Sequence, residues 1–422
     1  PRVQPITQKI EIENTGEIKA SGATRGIGIY SNNSNTAVAV SDAAVTLGNT
    51  SNIDLTSTVN GVGVYGKRTT VSGGGTISVG KDGIGMHLDE SNADLSNINV
   101  NLTGDNSLGF NLTNGTVFSG TGTFNVSGNN TVLFNLTSSA PTGSYVNYSG
   151  FTAGGTGNYI GGNIENAGFY HNSTDTVTDK STVVTGKNSV IMFDGNANIT
   201  ASGNNNIIGM ADGVYNGGMP FTYSGISATA EKELTNKGTI SINDNSAALY
   251  GKNNAGVLNS GTISVGKDSV AIYANQTNDV KNDGTINIGE NSKGIFAKES
   301  VFTNDVNGGK ILSSANSATG IHSEYNGGSS TRIGNSDEIT LLGANSIGIY
   351  AVGSGTQDIR NTGTIAVSNS NSINDPSMGI YSVNPGNIIS NTGRIAAGEK
   401  SLGIYNTGGN VSQDGELFLG FS

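Results

Sequence analysis

Three histidines, His87, His171 and His322, supply all the imidazole in 422 residues, and cysteine is absent. Metal capture or nucleophilic catalysis would need such groups gathered with carboxylates, and these three lie far apart along the chain. Asp and Glu number 32, yet they fall singly in turn-like contexts (Asp82, Asp268, Glu290, Glu399). Glycoside hydrolysis wants two carboxylates together, and no pair recurs. A calcium-binding G-G-x-G-x-D repeat and a G-x-S-x-G elbow are missing too. Enzymatic activity, a cofactor and a metal are therefore not expected. Aromatic rings are the more suggestive group, because a stripe of exposed rings can stack against sugars. A ring recurs at one position of a repeated phrase, as Tyr30, Tyr65, His87, Phe193, Tyr250, Tyr273, Phe296, His322, Tyr350, Tyr381 and Tyr405.

The phrase itself shows what must position them. "VLNSGTISVGKDSVAIYAN", from Val257, is followed from Val280 by "VKNDGTINIGENSKGIFAK". Its template is apolar-x-Asn-x-Gly-x-apolar-x-apolar, a four-residue turn such as "GKDS" or "GANS", then apolar-Gly/Ala-apolar-aromatic. About fourteen copies, spaced roughly 22–35 residues apart, cover most of the chain. Runs of four or five residues with period-two alternation are strands, and none could bury its apolar face alone. Stacking each unit on the next merges those faces into one core. The expectation is an all-β, single-stranded parallel β-helix of about fourteen coils, right-handed, with three short strands per coil and loop insertions. At about 4.8 Å per coil it would be a rod on the order of 65–70 Å long. A β-propeller, with blades of about 40 residues, fits the shorter period poorly.

Each template position then has an expected task. The Asn (Asn14, Asn236, Asn259, Asn282, Asn361, Asn391) has inward parity, where a lone amide would be costly, and coil stacking lets each donate to the next. The Gly two residues later is expected to take positive φ at a corner. Ile263, Val265, Val270 and Ile272 read as core. The ring slot has the opposite parity to Val270 and Ile272. Strict alternation therefore places it outside, whereas the Phe residues in it favour a corner at which the ring turns into the stack. His87 and His322 replace Tyr in that slot, which explains them without chemistry.

The phrase fails between residues 138 and 183, so the expected organisation is coils over 1–137, an aromatic-rich insertion or degenerate coil over 138–183, and coils over 184–422. That middle stretch holds six of the 26 Tyr and Phe residues. Insertions in solenoids emerge on one side and often carry recognition. The candidate ligand-binding residues are therefore Tyr145, Tyr148, Phe151, Tyr159, Phe169, Tyr170 and His171. The alternative is a degenerate coil whose rings pack locally. A smaller irregularity at 211–232 contains Tyr215, Phe221 and Tyr223.

Composition narrows the partners. A net charge of −11 without a basic patch argues against nucleic acid and against docking on an anionic membrane. No apolar run could span a bilayer. No secretory signal is visible at Pro1, and the chain reads as a segment of something longer. Sequons such as "NLT" at Asn101 and Asn111 arise readily in an Asn/Ser/Thr-rich chain.

Through "NTGEI", "NSGTISVGKDSVAIYA", "NDGTINIGENSKGIFA", "NSIGIYA" and "NTGRI", the chain resembles the passenger region of the very large fusobacterial type V autotransporter adhesins. That resemblance implies a rod at the bacterial cell surface, anchored in the outer membrane by a translocator barrel outside this segment. It also implies binding to host-cell surface glycans or protein receptors, including those of immune cells, and to other bacteria. A purely structural spacer, or a β-helix enzyme acting on polysaccharide, are the alternatives.

Overall fold

The computed structural model describes residues 9–22, 24–139, 143–223 and 225–421. Strands make up 60% of the chain and helix 1%. Two compact units are present. One takes in Pro1–Ile191 with Tyr215–Gly218 and Thr222–Thr229; the other takes in Met192–Val214, Met219–Phe221 and Ala230–Ser422. Residues 138–183 do not separate from the coils around them, and residues 140–142 within that span lie outside the described set. So do residues 1–8, where a signal was sought.

Each unit is a parallel β-solenoid. The coil-closing strands of the first run from Gly26–Asn32 through Gly61–Lys67 to Thr182–Lys187, seven in parallel succession. Those of the second run from Ile207–Asp212 to Leu402–Asn406, eight in succession. About 15 turns result, close to the expected fourteen, and parallel pairing is incompatible with the antiparallel blades of a propeller. Copies align in the predicted register: Asn259 faces Asn282, Ile263 faces Ile286 and Tyr273 faces Phe296.

In the second unit the template's corner separates two short strands, as in Val257–Asn259 and Thr262–Val265. The middle coils of the first unit instead merge them into long strands, such as Asn92–Leu102 and Val117–Val126, with a register shift at the corner. The interiors differ accordingly. The second unit stacks Ile263, Ile286, Ile311, Ile339, Ile365 and Ile395 in one buried column. In the middle coils of the first unit the core is aromatic: Phe110, Phe118, Phe124 and Phe134 pack with centroids 4.5–5.7 Å apart.

The amide ladder is continuous in the second unit. Asn236 Nδ2 donates to Asn259 Oδ1 (2.8 Å), Asn259 to Asn282 (2.7 Å), and Asn282 to Asn307 (2.8 Å). It goes on through Asn335, Asn361 and Asn391 to Gln413. The seven asparagine rungs from Asn236 to Asn391 are fully buried, so each amide meets its requirement from its neighbours rather than from water. Asn14 does not belong to such a ladder. The next coil places Leu47 opposite it, and its amide donates to Ser51 Oγ instead.

Two expectations about the template are corrected. The corner glycines Gly261 and Gly284 do not have positive φ. They are needed because a Cβ on Gly261 would lie 2.1 Å from Gly238 O, and one on Gly284 the same distance from Gly261 O. Positive φ falls one turn later, at Asp268, Asn291 and Asn345, the third residue of each "GKDS"-type turn. Val270 is not core either. Pairing steps from Val270–Lys293 to Ile272–Ile295 and omits Ala271, so Ala271 and Ile272 both face in and Val270 faces out. The slip in alternation explains why the template has Gly or Ala there. Serine in the turn has its own ladder: Ser246 N donates to Ser269 Oγ and Ser269 N to Ser292 Oγ.

Candidate functional site

The seven ring-bearing candidates of residues 138–183 are all interior. Tyr145, Tyr148, Phe151, Tyr159, Phe169, Tyr170 and His171 are each buried, none more than 9% exposed. Their segment folds as coils, with Tyr145–Gly155 pairing in parallel on Val117–Val126 and on Gly168–Val177. Tyr148 stacks on Phe151 at 5.4 Å and on Phe124 at 5.8 Å, extending the aromatic core. Of the two arrangements expected for this stretch, insertion or degenerate coil, the segment takes the form of a coil, with its large rings filling the interior.

The second irregularity does leave the coil pattern. Phe221–Tyr223 and Ala228–Ala230 pair as a two-stranded sheet of their own. Tyr223 anchors this excursion: its hydroxyl donates to Phe169 O (3.0 Å) and Val190 O (3.1 Å), and its ring lies edge-on to Tyr145 at 6.0 Å. Tyr223 thereby ties this excursion to Tyr145 and Phe169 of the aromatic-rich stretch within the first unit.

The most reactive-looking group inside the first unit is Tyr148–Asp175–His171. Tyr148 OH donates to Asp175 Oδ1 at 3.0 Å, and His171 Nε2 lies 3.2 Å from Asp175 Oδ2. Burial, reinforced by the Asp175 charge, holds the Tyr148 phenol well above its ordinary value. All three side chains are closed off from solvent, so Tyr148 and His171 hold a buried carboxylate inside the core rather than offering it to a substrate.

The ring slot forms an outer column. In the second unit Tyr250, Tyr273, Phe296, His322, Tyr350, Tyr381 and Tyr405 follow one another at 4.6–5.1 Å. In the first, Tyr30, Tyr65 and His87 stack at 5.0 and 5.1 Å. The rings are half-buried to exposed on the side opposite the core, so alternation describes them and the inward corner does not. Phe193 is the exception; fully buried in Val190–Phe193, it is not in the column, where Thr185 pairs with Asn163 in the first unit and Met210 with Tyr250 in the second. Beyond His87 the column changes from rings to amides. Asn111 hydrogen-bonds His87 Nδ1 (2.8 Å), Asn135 donates to Asn111, and Asn163 donates to Asn135. Apart from His322, which is tilted 35° from Phe296 and lies edge-on to Tyr350 (84°), the rings lie face to face, so most internal π-faces are covered by a neighbour. Within the stacked runs a sugar would find free faces at ends such as Tyr30 and Tyr405.

Carboxylates on the outer surface face cations on neighbouring coils, as in Lys267–Glu290, Lys310–Glu338, Lys252–Asp212 and Lys67–Asp89. Among the described residues no three His, Asp or Glu side chains converge as a metal ion would need, and no helix is long and apolar enough to cross a membrane. Shallow grooves lie on the outer surface, two of them along the outer column of the second strand of successive coils. In the first unit a groove of about 350 Å³ lies over Ser78, Asn101, Asn125 and Gly154. In the second, one of about 370 Å³ lies over Asn287, Leu312 and Thr340. Sequence reasoning took Asn101 only as a chance sequon. The signal that would have revealed this row is a polar residue recurring between two inward apolar positions, as in "INVNL" and "FNVS". Comparison with family models, curated proteins and solved structures finds no match for the chain.

Proposed function

We propose that this chain is a non-enzymatic, β-solenoid segment of an extracellular bacterial adhesin, contacting host-cell glycans or receptors and partner bacteria through the sides of its coils. One observation carries this reading. The repeated polar and aromatic groups are used between coils, in the amide, serine and ring ladders. What remains for a partner is the lateral surface, where the coils leave polar grooves. The repeated "NTG" phrase and its resemblance to adhesin passenger regions support the same assignment to the cell surface. Flow cytometry with the labelled, purified chain on epithelial cells, immune cells and other bacteria tests it, and saturable binding is the expected result. Absence of binding to all of them would overturn it in favour of a spacer, a reading favoured by the burial of the aromatic-rich segment.

A further inference from the structure

The groove over Asn101 and Asn125 is where an outward amide ladder runs out. Asn101 Nδ2 donates to Ser78 Oγ (2.8 Å) and Asn125 Nδ2 donates to Asn101 Oδ1 (2.9 Å). In the next coil the facing residue is Gly154, so the ladder stops for want of a side chain. A Cβ added at Gly154 would meet nothing within 4 Å. Asn125 Oδ1 therefore lacks the donor that a side chain there would supply, and it accepts no hydrogen bond among the described residues. Beside it the exposed hydroxyls of Ser127 and Thr156 make no hydrogen bond among the described residues.

We propose that this notch is a binding site for one or two units of a neutral saccharide. Its volume of about 350 Å³ lies at the lower end of the roughly 300–1,000 Å³ range of small-molecule sites. Amides and hydroxyls line it and no charged residue does, so nothing there would repay the desolvation of a sialic acid carboxylate or a sulfate. An extended peptide finds no free sheet edge, since the strands beneath already pair on both sides. Ring hydroxyls can both donate and accept, which matches a lone amide oxygen flanked by two serine- or threonine-type hydroxyls.

This proposal rests on the adhesin reading and names its ligand class. Gly154→Asn would continue the ladder onto Asn125 and fill the notch; Thr156→Ala would remove one hydroxyl from its rim. An array of neutral, sialylated and sulfated glycans is probed with the full chain and with each variant, and cell binding and the urea midpoint are recorded in parallel. The expected result is binding to neutral glycans that falls about tenfold or more in Gly154→Asn, as the loss of a few ordinary hydrogen bonds would give, and severalfold in Thr156→Ala. The urea midpoint of Gly154→Asn should stay or rise. Unchanged neutral-glycan binding by both variants, or binding confined to charged glycans, would overturn the site while leaving the adhesin reading in place. A full chain that binds neither cells nor glycans would overturn both.

Discussion

Replacing Asn282 with Ala tests how much of the solenoid's cohesion resides in its internal amides. Asn282 accepts from Asn259 Nδ2 at 2.7 Å and donates to Asn307 Oδ1 at 2.8 Å, and all three residues are fully buried. The substitution leaves one donor and one acceptor unpaired where water does not reach. At about 1–3 kcal/mol for each orphaned group, the expected local destabilisation is about 2–6 kcal/mol. Solenoid stability is a sum over neighbouring repeats, so a whole-chain melting curve would dilute the effect. Amide hydrogen exchange resolves it: protection of the strands at Val257–Asn259 and Val280–Asn282 should fall by more than about thirtyfold. Asn14→Ala is the control. Asn14 is half-exposed and makes its side-chain bond to Ser51, so its loss should cost about 1 kcal/mol or less. Equal effects of the two substitutions, or less than a threefold change at Asn282, would refute the claim that the ladder holds the coils.

Acid should weaken the second unit through His322, whose imidazole is lowered to about 4 by burial and by the Lys293 charge. The unfolded chain takes up a proton near pH 6.5 that the folded chain refuses until about 4, so stability falls as pH drops through that window; His322→Tyr should flatten the fall in thermal midpoint between pH 7 and 4.5. At the alkaline end, burial holds Tyr148, Tyr159 and Tyr223 well above the ordinary phenol value. Their contribution is complete below pH 10 and is lost as pH rises past it, so ultraviolet titration should find at least three of the 14 tyrosines ionising only on unfolding. Tyr223→Phe, which removes the hydroxyl from Phe169 O and Val190 O, should cost about 1–2 kcal/mol. Faster proteolytic cleavage within residues 211–232 would report it, and unchanged cleavage would show that the ring alone anchors the hairpin.

The coils were legible because stacking repeats the same environment, so the same residue type answers it each time. Asn259 and Asn282 could be paired from spacing alone. Asn335 could not, because "NSD" replaces the template's "N-x-G" there. The amide still lines up because the strand Thr331–Asn335 keeps its register on Gln357–Asn361. The aromatic-rich stretch misled for a related reason. Its parity is that of a coil, but rings larger than the usual Val and Ile look like a departure until Phe124 and Phe134 of the preceding coils are seen to make the same substitution. Nothing local in the sequence announces that Tyr223 reaches Phe169, a contact across 54 residues. The notch at Gly154 is visible only as a missing side chain in a column, which requires knowing the register first.

Every rung of the amide ladder from Asn236 to Gln413 donates toward the C-terminal neighbour. A coil therefore has two unlike faces, one presenting oxygen and the other N–H. An upside-down coil would set oxygen against oxygen, so inverted stacking is rejected at each rung. Slippage by one whole coil is not, because adjacent rungs are chemically identical. The variable members of the outer column, such as Phe296 and His322 between tyrosines, then distinguish one storey of the stack from the next.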